Sequence, residues 1–121
     1  MVRGHKETWQ KLRNGIADTD RPVWFHAASL GEFEQGRPLM ERLRREKPEA
    51  KILLTFFSPS GYEVRKDYAV ADVVCYLPFD TPLNARRFLR LAHPGKAFFI
   101  KYEFWRNYLC QLRDAAVPTY S

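Results

Sequence analysis

Cysteine is scarce. The 121 residues hold only Cys75 and Cys110, far apart and in no CxxC pair. That excludes a disulfide scaffold and a thiolate metal site, and it fits a reducing compartment. His5, His26 and His93 show no ligand spacing either. Long apolar runs are missing: none approaches the ~20 residues of a membrane span. Met1 to Lys11 lack the apolar centre of a signal peptide. The glycine motifs that cradle nucleotides are absent. There is no GxGxxG, and no acidic residue ends the second predicted strand to hold a ribose, which disfavours a dinucleotide dehydrogenase. No GxxxxGK[ST] and no GxSxG occurs, so a P-loop and a serine-hydrolase elbow are out. Acidic residues are the minority, 14 against 20 Lys and Arg, for a net charge of +6. This charge permits an anionic partner: nucleic acid, lipid headgroups or a phosphorylated ligand. It does not choose among them, because the basic residues are spread over predicted helix faces, as in Arg42, Arg44, Arg45 and Lys47.

What is present is a 45% apolar chain, enough for a core and too apolar for disorder. A helix is predicted over 5–16, with Trp9, Leu12 and Ile16 on one face. It reads equally as a basic helix on a membrane surface or as a helix packed on the domain. Turn residues from Asp18 to Pro22 follow as a linker, so residues 1–20 are set apart from a domain over 21–121. Val23 to Ala27 is the first predicted strand. The next helix runs from about Glu32 to Lys47, with Gly36, Leu39 or Met40, and Leu43 inward. Pro38 suits only a first turn, so this helix either starts near Glu34 or is kinked. Lys51–Phe57 is a continuous apolar strand of the kind buried on both faces. A short helix over 60–67 and a strand over 72–76 come next. Asp80 or Thr81 caps a helix that begins at Pro82 and buries Leu83, Phe88 and Leu91. Ala97–Ile100 is the fourth strand, 104–115 a helix, and Val117–Tyr120 the start of a fifth strand.

The order βαβαβαβα with short connections predicts an α/β fold: a Rossmann-like parallel sheet with helices on both faces. Every polar turn then falls at the carboxyl end of a strand, where open α/β sheets place their chemistry. These turns are Ser29 to Glu32, Ser58 to Gly61, Asp80, and Lys101 to Glu103. Ser29-Leu30-Gly31 points backbone N–H groups at a phosphate or an oxyanion. Glu32 has two readings, a capping carboxylate in a first helical turn or a general base for a hydroxyl nucleophile. His26, inside an apolar strand, reads as a core histidine.

Six stretches in series resemble the 3-deoxy-D-manno-octulosonic acid (Kdo) transferases of lipid A synthesis. They are His26-Ala27-Ala28-Ser29-Leu30-Gly31-Glu32, Pro38-Leu39, Leu54 to Gly61, Tyr76-Leu77-Pro78-Phe79-Asp80, Arg87-Phe88-Leu89 and Glu103-Phe104-Trp105-Arg106-Asn107. The resemblance implies the N-terminal half of a two-domain, GT-B-type inverting glycosyltransferase, truncated here and inactive alone. Its acceptor is a lipid A precursor. Its donor is CMP-Kdo, bound mainly by a second domain, with no cofactor and no metal. The implied place is the cytoplasmic face of the bacterial inner membrane, peripheral or anchored by a segment outside this chain, so a membrane surface is an expected partner. By the same resemblance Glu32 is the general base and Glu103 has a supporting role. Ser29, Gly31, Ser58, Ser60 and Gly61 line the acceptor side. Lys101 departs from the family's Glu-x-Glu-Leu-Trp-Pro turn, standing where a carboxylate is usual. Either it meets an acceptor phosphate or donor carboxylate, or Glu103 covers the role.

Two other readings compete. One is a sugar transferase of the same architecture with another acceptor. The other is a basic module for nucleic acid, which would need exposed aromatics. Here Phe56, Phe57, Phe98 and Phe99 sit in strand runs and read as core, so no nucleic-acid partner is expected.

Overall fold

Strand-forming runs pair in parallel throughout. β1 (Val23–Ala27), β2 (Ile52–Phe56), β3 (Val73–Tyr76), β4 (Lys96–Phe99) and β5 (Thr119–Tyr120) form one sheet in the order β3-β2-β1-β4-β5. The computed structural model describes residues 2–57, 62, 68–100 and 106–120, with side chains from Glu7 onward. The helices are α1 (Val2–Gly15), α2 (Leu30–Glu46), α3 (Pro82–Ala92) and α4 (Arg106–Asp114).

Alternation along each strand divides the apolar residues between two cores. Trp24, Leu53, Val73, Cys75, Ala97 and Phe99 face α1, α3 and α4, meeting Leu12, Phe88, Tyr108 and Leu112. Trp24 is the hub of that core, with ring centroids 4.7 Å from Phe88, 5.2 Å from Phe99 and 6.0 Å from Tyr108. Phe25, Ala27, Leu54, Phe56, Val74 and Tyr76 face α2, which answers with Phe33 and Met40. Helices therefore cover both faces of the sheet, and Phe56, Phe57, Phe98 and Phe99 all pack into the cores. Cys75 is buried and free, and burial pushes its thiol up to about 12.

Four details decide or correct the sequence expectations. The apolar face of α1 is committed to the domain, with Leu12 and Ile16 buried in the Trp24 core, so packing wins over a helix lying on a membrane. The second helix starts at Leu30, not near Glu34, because Ser29 supplies a working N-cap. Pro38 thus lies inside α2 on its exposed side, where water can serve the carbonyl that loses its partner. Met40, not Leu39, faces inward. In α3 the buried residues are Ala85, Phe88, Leu89 and Ala92, while Leu83 in the first turn is 71% exposed. The helix predicted over 60–67 falls outside the described residues except for Tyr62, which is buried.

Two polar clamps fasten the helices to the sheet. Arg44, near the end of α2, donates to the carbonyls of Val70, Pro48 and Ala50 and to Asp72 Oδ2 at 2.6 Å. The same carboxylate oxygen accepts from Ile52 N–H at the start of β2. On α1, Thr8 Oγ1 donates to the Tyr76 carbonyl (2.9 Å) and Lys11 Nζ to the Val74 carbonyl (3.1 Å).

Candidate active site

Because all five strands run the same way, the turns that follow them share one rim. Of the candidate residues, Ser29, Gly31, Glu32 and Asp80 are described and lie on this rim. Ser58, Ser60, Gly61, Lys101 and Glu103 lie outside the described residues.

The turn after β1 is built as a variant of the capping box. Ser29 is the N-cap of α2, in extended conformation, with its Oγ 3.5 Å from Glu32 N–H and its carbonyl accepting from Phe33 N–H at 3.0 Å. Glu32 folds back, and its Oε1 accepts from Ala28 N–H at 2.8 Å. The usual box closes on the N-cap's own N–H. Here the carboxylate reaches one residue further, to the end of the strand. Glu32 is 9% exposed. Among the described residues its Oε2 makes no hydrogen bond, so one oxygen is held and the other is not. Gly31 needs no special backbone angle. A Cβ there would meet nothing nearer than Ser29 Oγ at 4.0 Å, so the glycine keeps the first turn bare.

Beneath this turn lies a buried polar chain that sequence reasoning did not assemble. The Trp24 indole N–H donates to Thr55 Oγ1 at 2.8 Å, and the same hydroxyl stands 2.8 Å from His26 Nδ1. An indole only donates, so Thr55 Oγ1 accepts from Trp24 and links it to the His26 imidazole. Burial drives its pKa down to about 3, with Thr55 opposing. A base poised near neutrality needs a value far higher, so His26 is a core histidine.

On the rim the structure decides between Asp80 and Thr81 as the cap of α3. Thr81 caps α3, its Oγ1 accepting from Asn84 N–H at 3.2 Å. Asp80 serves a different helix: Oδ1 accepts from Asn107 N–H (3.0 Å) and Tyr108 N–H (3.3 Å), in the first turn of α4. The Asp80 carbonyl accepts from Asn107 Nδ2 at 2.9 Å, and the Tyr108 hydroxyl donates to the Pro78 carbonyl at 2.8 Å. Burial, then the Asp80 carboxylate, raise the Tyr108 phenol well above its ordinary value. A signal was there to read, since Trp105, just before α4, offers no oxygen to cap it.

No group of three or more His, Cys, Asp or Glu side chains able to hold a metal lies among the described residues. Nor is any described helix long and apolar enough to cross a membrane.

Comparison with known proteins places the chain. Residues 4–121 match the family described as 3-deoxy-D-manno-octulosonic-acid transferase (kdotransferase). The chain is similar to the 3-deoxy-D-manno-octulosonic acid transferase of Aquifex aeolicus, 38% identical over 84 residues, covering 69% of this chain and 23% of that protein. It is similar to the Haemophilus influenzae enzyme of the same name, 33% identical over 106 residues, 87% of this chain and 25% of that one. A probable mitochondrial 3-deoxy-D-manno-octulosonic acid transferase of Arabidopsis thaliana is 31% identical over 119 residues, 94% of this chain and 26% of that protein. The chain thus spans about a quarter of the length of these curated relatives.

Proposed function

Given that the chain belongs to the 3-deoxy-D-manno-octulosonic acid transferase family, we propose that it is the acceptor side of an inverting glycosyltransferase. The full-length protein transfers Kdo from CMP-Kdo to a lipid A precursor. Residues 21–121 form the acceptor domain, and a second domain, in the part of the protein outside this chain, holds the donor. The 121 residues alone give no turnover.

One observation carries the reading: Glu32 is tethered by Oε1 while Oε2 is left over, at the rim where the strands end. A primary hydroxyl of the acceptor lies against Oε2 and attacks the anomeric carbon of Kdo. Its proton passes to Glu32 as the new C–O bond forms. The bond from that carbon to the CMP phosphate breaks on the opposite face, and CMP leaves with the electron pair. The tether to Ala28 keeps the carboxylate aimed, which such proton transfers require. Ser29 and the bare turn at Gly31 leave room for the acceptor, and Ser58, Ser60 and Gly61, outside the described residues, are assigned to the acceptor side by the family resemblance. Either Lys101 serves an acceptor phosphate or the donor carboxylate, or Glu103 takes the supporting role. The reaction calls for no metal.

The protein works at the cytoplasmic face of the inner membrane, where its acceptor is anchored. Phe79 and Leu83, 45% and 71% exposed beside the rim, are the apolar side chains that meet the lipid surface. The test is a transfer assay on the full-length protein with CMP-Kdo and lipid A precursor. Glu32→Gln is expected to lower kcat at least a hundredfold with KM little changed. Near-normal kcat in that variant would remove Glu32 from the role of base.

A further inference from the structure

We infer that the outward stripe of α3 is a docking surface for anionic phospholipid. The inference deepens the proposed placement at a membrane surface and rests on it. Leu83, Arg86, Arg87 and Arg90 fall at i, i+3, i+4 and i+7, so they share one side of the helix. All four are exposed, while Ala85, Phe88, Leu89 and Ala92 fill the opposite side. α3 contains no acidic residue. Among the described residues none of its three arginines has a carboxylate partner. α2, on the other face of the sheet, is built differently. It holds Glu32, Glu34, Glu41 and Glu46 against Arg37, Arg42, Arg44 and Arg45. There Arg37 pairs with Glu34 and Glu41, Arg42 with Glu46, and Arg44 with Asp72. Positive charge is thus cancelled on α2 and left standing on α3. The neighbouring helix extends it. Arg87 lies over the Trp9 ring of α1, 4.2 Å from its centroid, and Arg13, one turn further along α1, is exposed. Two features fit a lipid surface rather than a nucleic acid. Leu83 heads the stripe and Phe79 stands exposed just before the helix, so apolar tips adjoin a row of cations, as a headgroup layer above acyl chains requires. The Trp9 ring is already covered by Arg87 and is not open to stack on a base.

The experiment uses the full-length protein with an environment-sensitive fluorophore on Leu83→Cys, the same labelling without that change giving the background. Vesicles of phosphatidylcholine take increasing fractions of phosphatidylglycerol. A blue shift that grows with the anionic fraction is expected, and about 0.5 M salt should reverse it, since exposed charges are then screened within a few ångströms. Each arginine near an anionic surface contributes about fivefold in partition, so Arg86→Gln with Arg87→Gln and Arg90→Gln should weaken lipid binding ~100-fold and abolish the shift. Arg86→Gln with Arg90→Gln leaves Arg87 on Trp9 and should lose about 25-fold, should the triple variant not fold. Removing as much charge from the other face, with Arg42→Gln, Arg45→Gln and Lys47→Gln, should change binding by less than about threefold. Equal losses in the two triple sets would overturn the inference, because net charge alone would then be the cause. So would a shift on phosphatidylcholine as large as on the mixture, or tighter binding to a DNA duplex than to the anionic vesicles. Transfer to a detergent-dispersed acceptor separates this inference from the reading of Glu32. A triple α3 variant that keeps both its shift and its kcat, beside an inactive Glu32→Gln, removes the docking surface and leaves the base. An active Glu32→Gln, beside a triple variant that loses its shift and keeps its kcat, does the reverse.

Discussion

Ser29 and Glu32 cap one helix from opposite directions. The serine hydroxyl faces the glutamate N–H, and the glutamate carboxylate turns back past the serine to Ala28 N–H. Capping and the proposed proton transfer thus draw on different atoms of Glu32. Glu32→Gln retains an acceptor for Ala28 N–H, so its melting temperature should stay within about 2 °C of wild type. Glu32→Leu strands that N–H in a buried turn, at a cost of about 1–3 kcal/mol. Thermal melts of the two variants check this, and equal melting temperatures would show that the tether is not holding the turn.

His26 makes the fold acid-sensitive. Its folded-state pKa is pushed down to about 3, while in the unfolded chain it returns to about 6.5. Between these values the unfolded state binds a proton that the folded state does not. The stabilisation is therefore complete above pH 6.5 and is lost as pH falls toward 3, at up to ~1.4 kcal/mol per pH unit. Urea unfolding at pH 7.5, 5.5 and 4.5 should show wild type losing stability faster than His26→Gln. Parallel losses in the two proteins would mean that carboxylates alone set the acid limit.

Much of this was legible in the sequence, for physical reasons. Continuous apolar strands such as Ile52–Phe56 mark a parallel sheet, and the small-residue turn at Ser29 marks a helix start whatever packs above it. The errors came where tertiary partners overrule local rules. Pro38 sits inside α2 because that side faces water. Leu83, which the helical pattern would bury, lies outside because Ala85 and Phe88 already fill the inner face of α3. Of the two candidate caps for α3, Thr81 serves and Asp80 does not. Its real partners, Asn107 and Tyr108, lie too far along the chain for local spacing to indicate. The Trp24–Thr55–His26 chain was invisible for the same reason, since it depends on the register that sets His26 beside Thr55. The roles of Glu32, Glu103 and Lys101 came from family resemblance, which periodicity cannot supply.

Arg44 is expected to be the most costly surface-reaching cation to remove. Its planar head satisfies three carbonyls and a carboxylate at once. Lysine cannot copy that fork. Arg44→Lys should lose about 2–3 kcal/mol of stability, close to the loss in Arg44→Ala. Chemical denaturation measures this, and full stability in Arg44→Lys would show that charge, without geometry, is enough.

The lipid-facing assignment of Phe79 and Leu83 has its own test. Full-length protein carrying Phe79→Asp and Leu83→Asp should sediment less with anionic vesicles, by about tenfold in partition coefficient. kcat toward a detergent-dispersed acceptor should be unchanged. Unaltered sedimentation would place the contact elsewhere.

The bonds from Thr8 and Lys11 to the carbonyls of Tyr76 and Val74 have a consequence for solubility. β3 is an outer strand of the sheet, and such a border is a ready template for another molecule's strand. α1 occupies it, spending a hydroxyl and an ammonium group on the backbone there. Deleting the first eleven residues should therefore do more than trim a helix: it should increase self-association through β3. Thr8→Val with Lys11→Met, which keeps the helix and removes its polar grip, should move partway along the same path.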